Sequence, residues 1–289
     1  MPLINQIKHV LPYIILLVAL VVWAALPSFT KIALSGMSVI SFIAIRFIFS
    51  SILMAPFLKQ VAVNLLKISA RFWLVFILTI SIMFGSQTFA VSALPVSWYI
   101  VIFSATPILI ALCLRYRFNY KSILGLALVF LGLIFFFLNT YKDNGSFSWI
   151  AIFCTIIGMF SWVFYSVLIK HLHKTYNDVQ ITALTTYLGA IASLIAAFFL
   201  RVNLASIHWH SFLITAVLGL ILPLAFFCYS YSIRYCQGFA IFGQYLEPIF
   251  GVIIAIMIFG NSLNFYAYVA AAIVLAGVAI TTRYHCCPV

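Results

Sequence analysis

The chain has 289 residues, 66% of them hydrophobic and only 6% charged, with a mean hydropathy of +1.25. Soluble domains carry about a quarter charged residues, so three acidic and fifteen basic side chains cannot coat a water-soluble globule. The same numbers exclude a disordered chain, and a net charge of +12 scattered singly between apolar runs is no nucleic-acid footprint. A multi-pass integral membrane protein remains.

A helix crosses about 30 Å of hydrocarbon with about twenty apolar residues. Ten such runs predict spans at 11–30, 38–58, 72–93, 97–114, 121–139, 149–169, 180–200, 210–230, 237–259 and 264–282. The first run follows Lys8 as a signal peptide would. Its length, and a Trp-to-Lys ending that recurs later, make it an uncleaved span. The connections are short, the longest near 59–71 and 139–148, so any function must lie within the helices.

With the N-terminus inside, the inside segments hold eleven basic residues: Lys8, Lys59, Lys67, Arg71, Arg115, Arg117, Lys121, Lys170, Lys174, Arg234 and Arg283. The outside segments hold three, Lys31, Lys142 and Arg201. This bias predicts cytoplasmic termini, and the expected location is a bacterial inner membrane. Trp73, Trp98, Trp149 and Trp209 fall at span edges, as an interfacial aromatic belt requires.

The two halves repeat. Trp23 and Lys31 are eight apart, as are Trp162 and Lys170. Pro107 stands midway along the fourth run and Pro248 midway along the ninth. Asn119 precedes Gly132 by thirteen, and Asn264 precedes Gly277 by thirteen. The offsets between copies are 139, 141 and 145, each close to half the chain. Five spans per copy is an odd number, so the second copy enters the membrane inverted. The expected fold is an all-α integral membrane protein of ten transmembrane helices as two inverted five-helix repeats, 1–140 and 141–289.

Trp23…Lys31, Arg46 in the second run, the Pro107 element, Trp162…Lys170, and Tyr245-Leu246-Glu247-Pro248 followed by Gly260 resemble the EamA-type transporters of the drug/metabolite transporter superfamily. The resemblance covers nearly the whole chain. It implies a ten-helix secondary carrier of small organic metabolites, often amino acids and frequently exported. Some related carriers import adenosyl or nucleotide-like metabolites, which is the alternative. The family commonly has Gly-Glu after the fourth and ninth spans. Here the chain has Arg115-Tyr116-Arg117 and Gly260-Asn261, so any coupling role of those acids does not transfer.

Of three acids, Asp143 and Asp178 fall in predicted connections and Glu247 within a span. A charge at the bilayer centre costs about 2.5–3.5 kcal/mol on insertion scales, so Glu247 is expected to face the bundle interior. It reads as a substrate ligand or a proton carrier, with a structural carboxyl as the alternative. Arg46 is the basic residue well inside a span, a candidate partner for Glu247 or for a substrate carboxylate. The substrate site is expected to gather Glu247, Gln244, Tyr245, Tyr99 and Thr106. Arg46 is expected at its edge, with Trp23 or Trp162 as a wall or as core. Pro107, Pro223 and Pro248 each remove a backbone hydrogen bond and predict kinks. Polar stripes at Ser81, Gly85, Thr88 and Ser92, and at Thr182, Thr186, Gly189 and Ser193, read chiefly as helix packing.

No metal or cofactor is expected. His171/His173 and His208/His210 are two apart and diverge on a helix, and no Walker loop, Rossmann fingerprint or nucleophile elbow is present. A membrane-embedded enzyme needs several acids or histidines near one interface, so the chain is expected not to be one. The partners are a small-molecule substrate and the bilayer, proton coupling stays open with Glu247, and no strict Gly-x-x-x-Gly motif marks an oligomer. A reporter fused after Val289 is expected to be active in the cytoplasm; activity only outside it overturns the orientation.

Overall fold

The computed structural model describes residues 2–62, 68–94, 96–140, 148–202, 207–259 and 265–284. Asp143, Lys67, Lys142, Gly260-Asn261, Asn264 and the Cys286–Cys287 pair lie outside them. All regular structure among the described residues is helical. The helices are α1 Pro2–Leu34, α2 Val39–Met54, α3 Leu58–Ala62, α4 Ala70–Ala93, α5 Val96–Phe103, α6 Thr106–Cys113 and α7 Tyr120–Thr140. The second half holds α8 Trp149–Leu172, α9 Asp178–Phe199, α10 Trp209–Tyr235, α11 Gln237–Phe242, α12 Glu247–Phe259 and α13 Phe265–Tyr284. Six stretches, in α1, α2 with α3, α4, α8, α9 and α10, are long and apolar enough to cross a membrane, and α7 and α13 hold shorter apolar stretches.

Large apolar side chains are exposed over much of the surface. Leu74, Leu78 and Ile82 recur down the outer face of α4, and Phe153, Phe160 and Phe164 down that of α8. Ser50, Ser166, Thr185, Thr186, Ser230 and Ser232 are instead fully buried. Water would reverse this distribution; hydrocarbon favours it, because only the interior supplies hydrogen-bond partners. Ser50 Oγ donates to the Gly219 carbonyl at 2.6 Å, and so ties α2 to α10. Local capping sets the helix starts: Ser38, Ser69 and Ser148 cap α2, α4 and α8, and Asn177 with Gln180 forms a capping box on α9.

The fourth and ninth expected spans are broken rather than kinked. The fourth is α5 and α6, interrupted at Ser104-Ala105; the ninth is α11 and α12, joined by a 3₁₀ turn over Gly243–Leu246. Pro107 and Pro248 are each the second residue of the later piece, where a missing N–H leaves no bond unmade. They open helices instead of bending them. Pro223, by contrast, stands inside the continuous α10. A second correction concerns Asp178, expected in a connection: it is the first residue of α9 and is buried.

The helices pack as two groups with a bridge. α1 lies along α10 with α12 beside it, and α4 lies along α8 with α6 and α5 against α8. α2 and α9 pack together and touch both groups. The stripe on α9 serves that packing, with Gly189 against the Phe47 ring. α7 and α13 form a separate, very close pair. A Cβ at Gly277 would sit 2.7 Å from the Gly125 carbonyl oxygen and 2.8 Å from the Val129 nitrogen, and one at Gly132 3.0 Å from the Val274 nitrogen. Asn119 caps α7 through Ser122 N–H and donates 2.8 Å to the Tyr284 carbonyl of α13. The repeated Asn and Gly markers are therefore, in the first copy, contacts of this pair.

Gly277→Val is expected to lower thermal stability in detergent by about 3 kcal/mol or more, since the clashing atoms are backbone and cannot yield. Gly85→Ala, with nothing within 4 Å of the added carbon, is expected to be neutral or stabilising.

Candidate functional site

Between the two helix groups lies a cavity of about 680 Å³ of empty space, mouth included. Trp23, Leu26, Pro27 and Thr30 of α1, with Leu222 and Phe226 of α10, form one wall. Met83, Phe84, Gln87, Thr88 and Val91 of α4 face them. Tyr99 and Phe103 of α5, Trp162 of α8 and Arg46 of α2 complete the lining together with Gln244 and Glu247. The space runs from the Trp23–Trp162 contact toward the ends of α1 and α4 that carry Thr30 and Val91.

A second cavity adjoins it at the two helix breaks. It shares Tyr99, Phe103, Gln244 and Glu247, and adds Ser104, Thr106, Pro107 and Pro248. Broken helices leave the last carbonyls and first N–H groups of each piece without intrahelical partners. Thr106 Oγ1 donates to the Phe103 carbonyl and so satisfies one of them. The breaks thus bring polar backbone to the side of the cavity where Glu247 stands.

The base is an aromatic layer that fixes an amide. Trp23 meets Trp162 edge to face at 4.9 Å, and each ring lies 5.1 Å from Tyr229. Such pairs contribute about 0.5–1.5 kcal/mol each beyond area burial. Trp162 Nε1 donates 3.0 Å to Gln244 Oε1, and Gln244 Nε2 donates 3.0 Å to the Ala240 carbonyl. Ser166 Oγ and the Tyr229 hydroxyl are 2.8 Å apart.

Two ionisable side chains, Arg46 and Glu247, stand in the lining without a hydrogen-bond or ion-pair partner among the described residues. The Arg46 guanidinium lies 4.9 Å from the Phe42 ring centre and 4.8 Å from that of Phe84. Its side chain is buried and makes no hydrogen bond or ion pair among the described residues, and its Nε is fully enclosed. Glu247, half-buried at the start of α12, makes none either. The positive end of the helix dipole supports a carboxylate there by about 0.3–1 kcal/mol. Arg46 and Glu247 do not pair with each other.

Of the expected site residues, Glu247, Arg46, Gln244, Tyr99, Trp23 and Trp162 line the main cavity, and Thr106, Pro107 and Pro248 line the second. Arg46 of α2 is part of the lining. Tyr245 lines neither: it is fully buried, with its ring 6.0 Å from Phe130 of α7. Sequence reasoning passed over Gln87, whose Nε2 donates 3.4 Å to the Gly158 carbonyl, and the aromatic walls Phe84 and Phe226. An amide inside an apolar run was the available signal for Gln87. The Phe residues, two among twenty-nine, carried none.

An apolar exterior around a polar, aromatic-walled cavity defines a multi-pass integral membrane protein built to hold a small molecule. Residues 10–138 and 149–283 each match the model of the EamA-like transporter family, so the chain belongs to that family and is a membrane transporter of small molecules. No curated protein matches it in sequence. Twenty-eight solved chains match it in structure. One, described only as "Crystal structure of protein", is similar with a TM-score of 0.74 at 15% identity, over 95% of this chain and 98% of its own. At that identity the likeness carries the fold alone.

Arg46→Met is expected to leave thermal stability within about 1 kcal/mol, because removing an unpaired buried charge offsets the lost ring contacts. A loss above about 3 kcal/mol would make the guanidinium structural.

Proposed function

We propose that this transporter is a secondary carrier of amino acids or amino-acid-like metabolites, exporting them across the bacterial inner membrane with both termini in the cytoplasm. Its architecture on this reading is ten spans in two inverted five-helix repeats, 1–140 and 141–289. The four split pieces α5 with α6 and α11 with α12 would be the fourth and ninth spans. The paired Trp-to-Lys markers and the paired prolines support the repeat. The eleven-to-three division of Lys and Arg supports the orientation.

One observation carries the substrate reading: an unpaired arginine and an unpaired carboxylate face a single cavity across aromatic walls. Arg46 offers a planar fork for a carboxylate. Glu247, with Gln244 and Tyr99 beside it, offers acceptors for an ammonium. Trp23, Phe84, Phe103 and Trp162 would enclose the apolar side chain. A zwitterion satisfies both charges at once, where a simple amine or acid satisfies one.

The test is thermal stabilisation of the purified protein by L-amino acids, each compared with its decarboxylated amine and its N-acetyl derivative. A ligand at a hundred times its Kd adds about 2.7 kcal/mol of stability. The zwitterion is expected to stabilise, and each truncated relative to bind about ten- to a hundredfold more weakly, the worth of one charged hydrogen-bonded contact. Glu247→Gln is expected to weaken binding of the zwitterion and leave binding of the N-acetyl derivative, which has no ammonium, unchanged. Equal binding of amine and amino acid removes Arg46 as carboxylate receptor. Stabilisation by adenosyl compounds and by no amino acid replaces the reading with that of a nucleotide-like substrate.

A further inference from the structure

We propose that His173, Asp178, Ser230 and Arg234 form a latch that seals the end of the cavity opposite its mouth, and that transport requires this latch to open. The four residues lie beyond the aromatic layer, where the end of α8, the start of α9 and the end of α10 converge. His173 Nε2 is 2.9 Å from Ser230 Oγ and 3.2 Å from Asp178 Oδ1. Ser230 Oγ donates 2.9 Å to the same Asp178 oxygen, and Arg234 Nε lies 3.3 Å from it. Arg234 Nη2 also donates 2.6 Å to the Tyr176 carbonyl in the turn between α8 and α9.

The position gives this cluster its meaning. The cavity separates the helix group of α1, α10 and α12 from that of α4, α5, α6 and α8. His173 ends α8 and Tyr176 follows it, whereas Ser230 and Arg234 belong to α10. The cluster therefore joins the two groups, which elsewhere meet along α8 and α10 chiefly through Trp162, Ser166 and Tyr229. At the mouth the comparable link among the described residues is a single bond, 3.2 Å from Lys31 Nζ of α1 to the carbonyl of Leu94, which follows α4. One end is held by a buried carboxylate with three partners, the other by one part-buried bond. A carrier must expose its site at each end in turn, so the groups joined here have to part.

The bonds are of a kind that holds and still releases. Buried charge-assisted bonds are shorter and stronger than neutral ones, yet when opened to water all four groups are solvated again. An apolar seal of equal area would offer no such exchange. The proposal rests on the chain being a carrier, not on the identity of what it carries, and its test needs no substrate.

Native Cys228 reports on the seal. It precedes Tyr229 of the aromatic layer and is 4% exposed. The full-length protein in detergent is treated with N-ethylmaleimide, and labelling is followed at each cysteine by mass spectrometry. Asp178→Asn and His173→Phe, neither of them on α10, are each expected to speed labelling of Cys228 by about tenfold or more. Cys154 on α8, away from the cluster, is expected to keep its rate, as is Cys228 in Lys31→Gln at the opposite end. An unchanged Cys228 rate in either folded variant overturns the latch. An equal rise at Cys154 also overturns it, because the variant has then loosened the whole bundle. Should Asp178→Asn fail to give monodisperse protein, His173→Phe decides alone, since it keeps the ring volume and leaves Asp178 paired with Arg234.

Discussion

A bilayer supplies no hydrogen bonds, so every polar group this chain carries into it has to find a partner inside the protein. The rest of the structure follows from that constraint. Most buried serines and threonines return their hydroxyls to a carbonyl one turn back, as Thr155 does to Ala151 and Thr185 to Ile181, and so cost little. A few hydroxyls also bond across helices, such as Ser50 to Gly219 and Tyr165 with Thr185, and these tie neighbouring helices together. Arg46 and Glu247 do neither. They are among the side chains without a hydrogen-bond partner, as are the buried Tyr176 hydroxyl and Gln237 Nε2, and both face the cavity.

The helix breaks obey the same rule. A broken helix cannot face lipid, because its free carbonyls and N–H groups would be unanswered there. Both breaks accordingly adjoin the second cavity, where Ser104, Thr106, Gln244 and Glu247 meet. The two prolines make the breaks inexpensive, each starting a helix piece in a position where it has no bond to lose. Beside the broken pieces, α7 and α13 pack closely through their glycines.

Much of the architecture was legible in the sequence because the apolar runs are long and the charged residues few. Glu247 stood out as an acid in an apolar run, and Arg46 likewise as a base. The breaks were less visible, since hydrophobic residues continue through Ser104-Ala105 and through the Gly243–Leu246 turn. The direction of Tyr245 was lost for a related reason. A 3₁₀ turn has three residues per turn, not 3.6, and rotates Tyr245 away from the face an unbroken helix would give it. Asp178 falls two residues before the apolar run at 180–200, although Asn177 and Gln180 carry the spacing of a capping box. The approach of α7 to α13 pairs Gly125 with Gly277, a partnership that no spacing along one helix reveals.

Why an arginine and a glutamate in one cavity should remain apart has a physical answer. Had they paired, each would answer the other, and a ligand would have to break that bond before gaining its own. Kept apart, each retains an incomplete shell: the guanidinium rests on two ring faces, and the carboxylate on the dipole of α12. Those supports are weaker than a buried ion pair. They hold the groups in place without spending their hydrogen bonds, so a ligand bearing both charges gains the full contact at each end. The latch beyond the aromatic layer is the reverse arrangement, in which opposite charges do meet. On the proposed reading, paired charges close the path within this bundle and unpaired side chains mark the place to be filled.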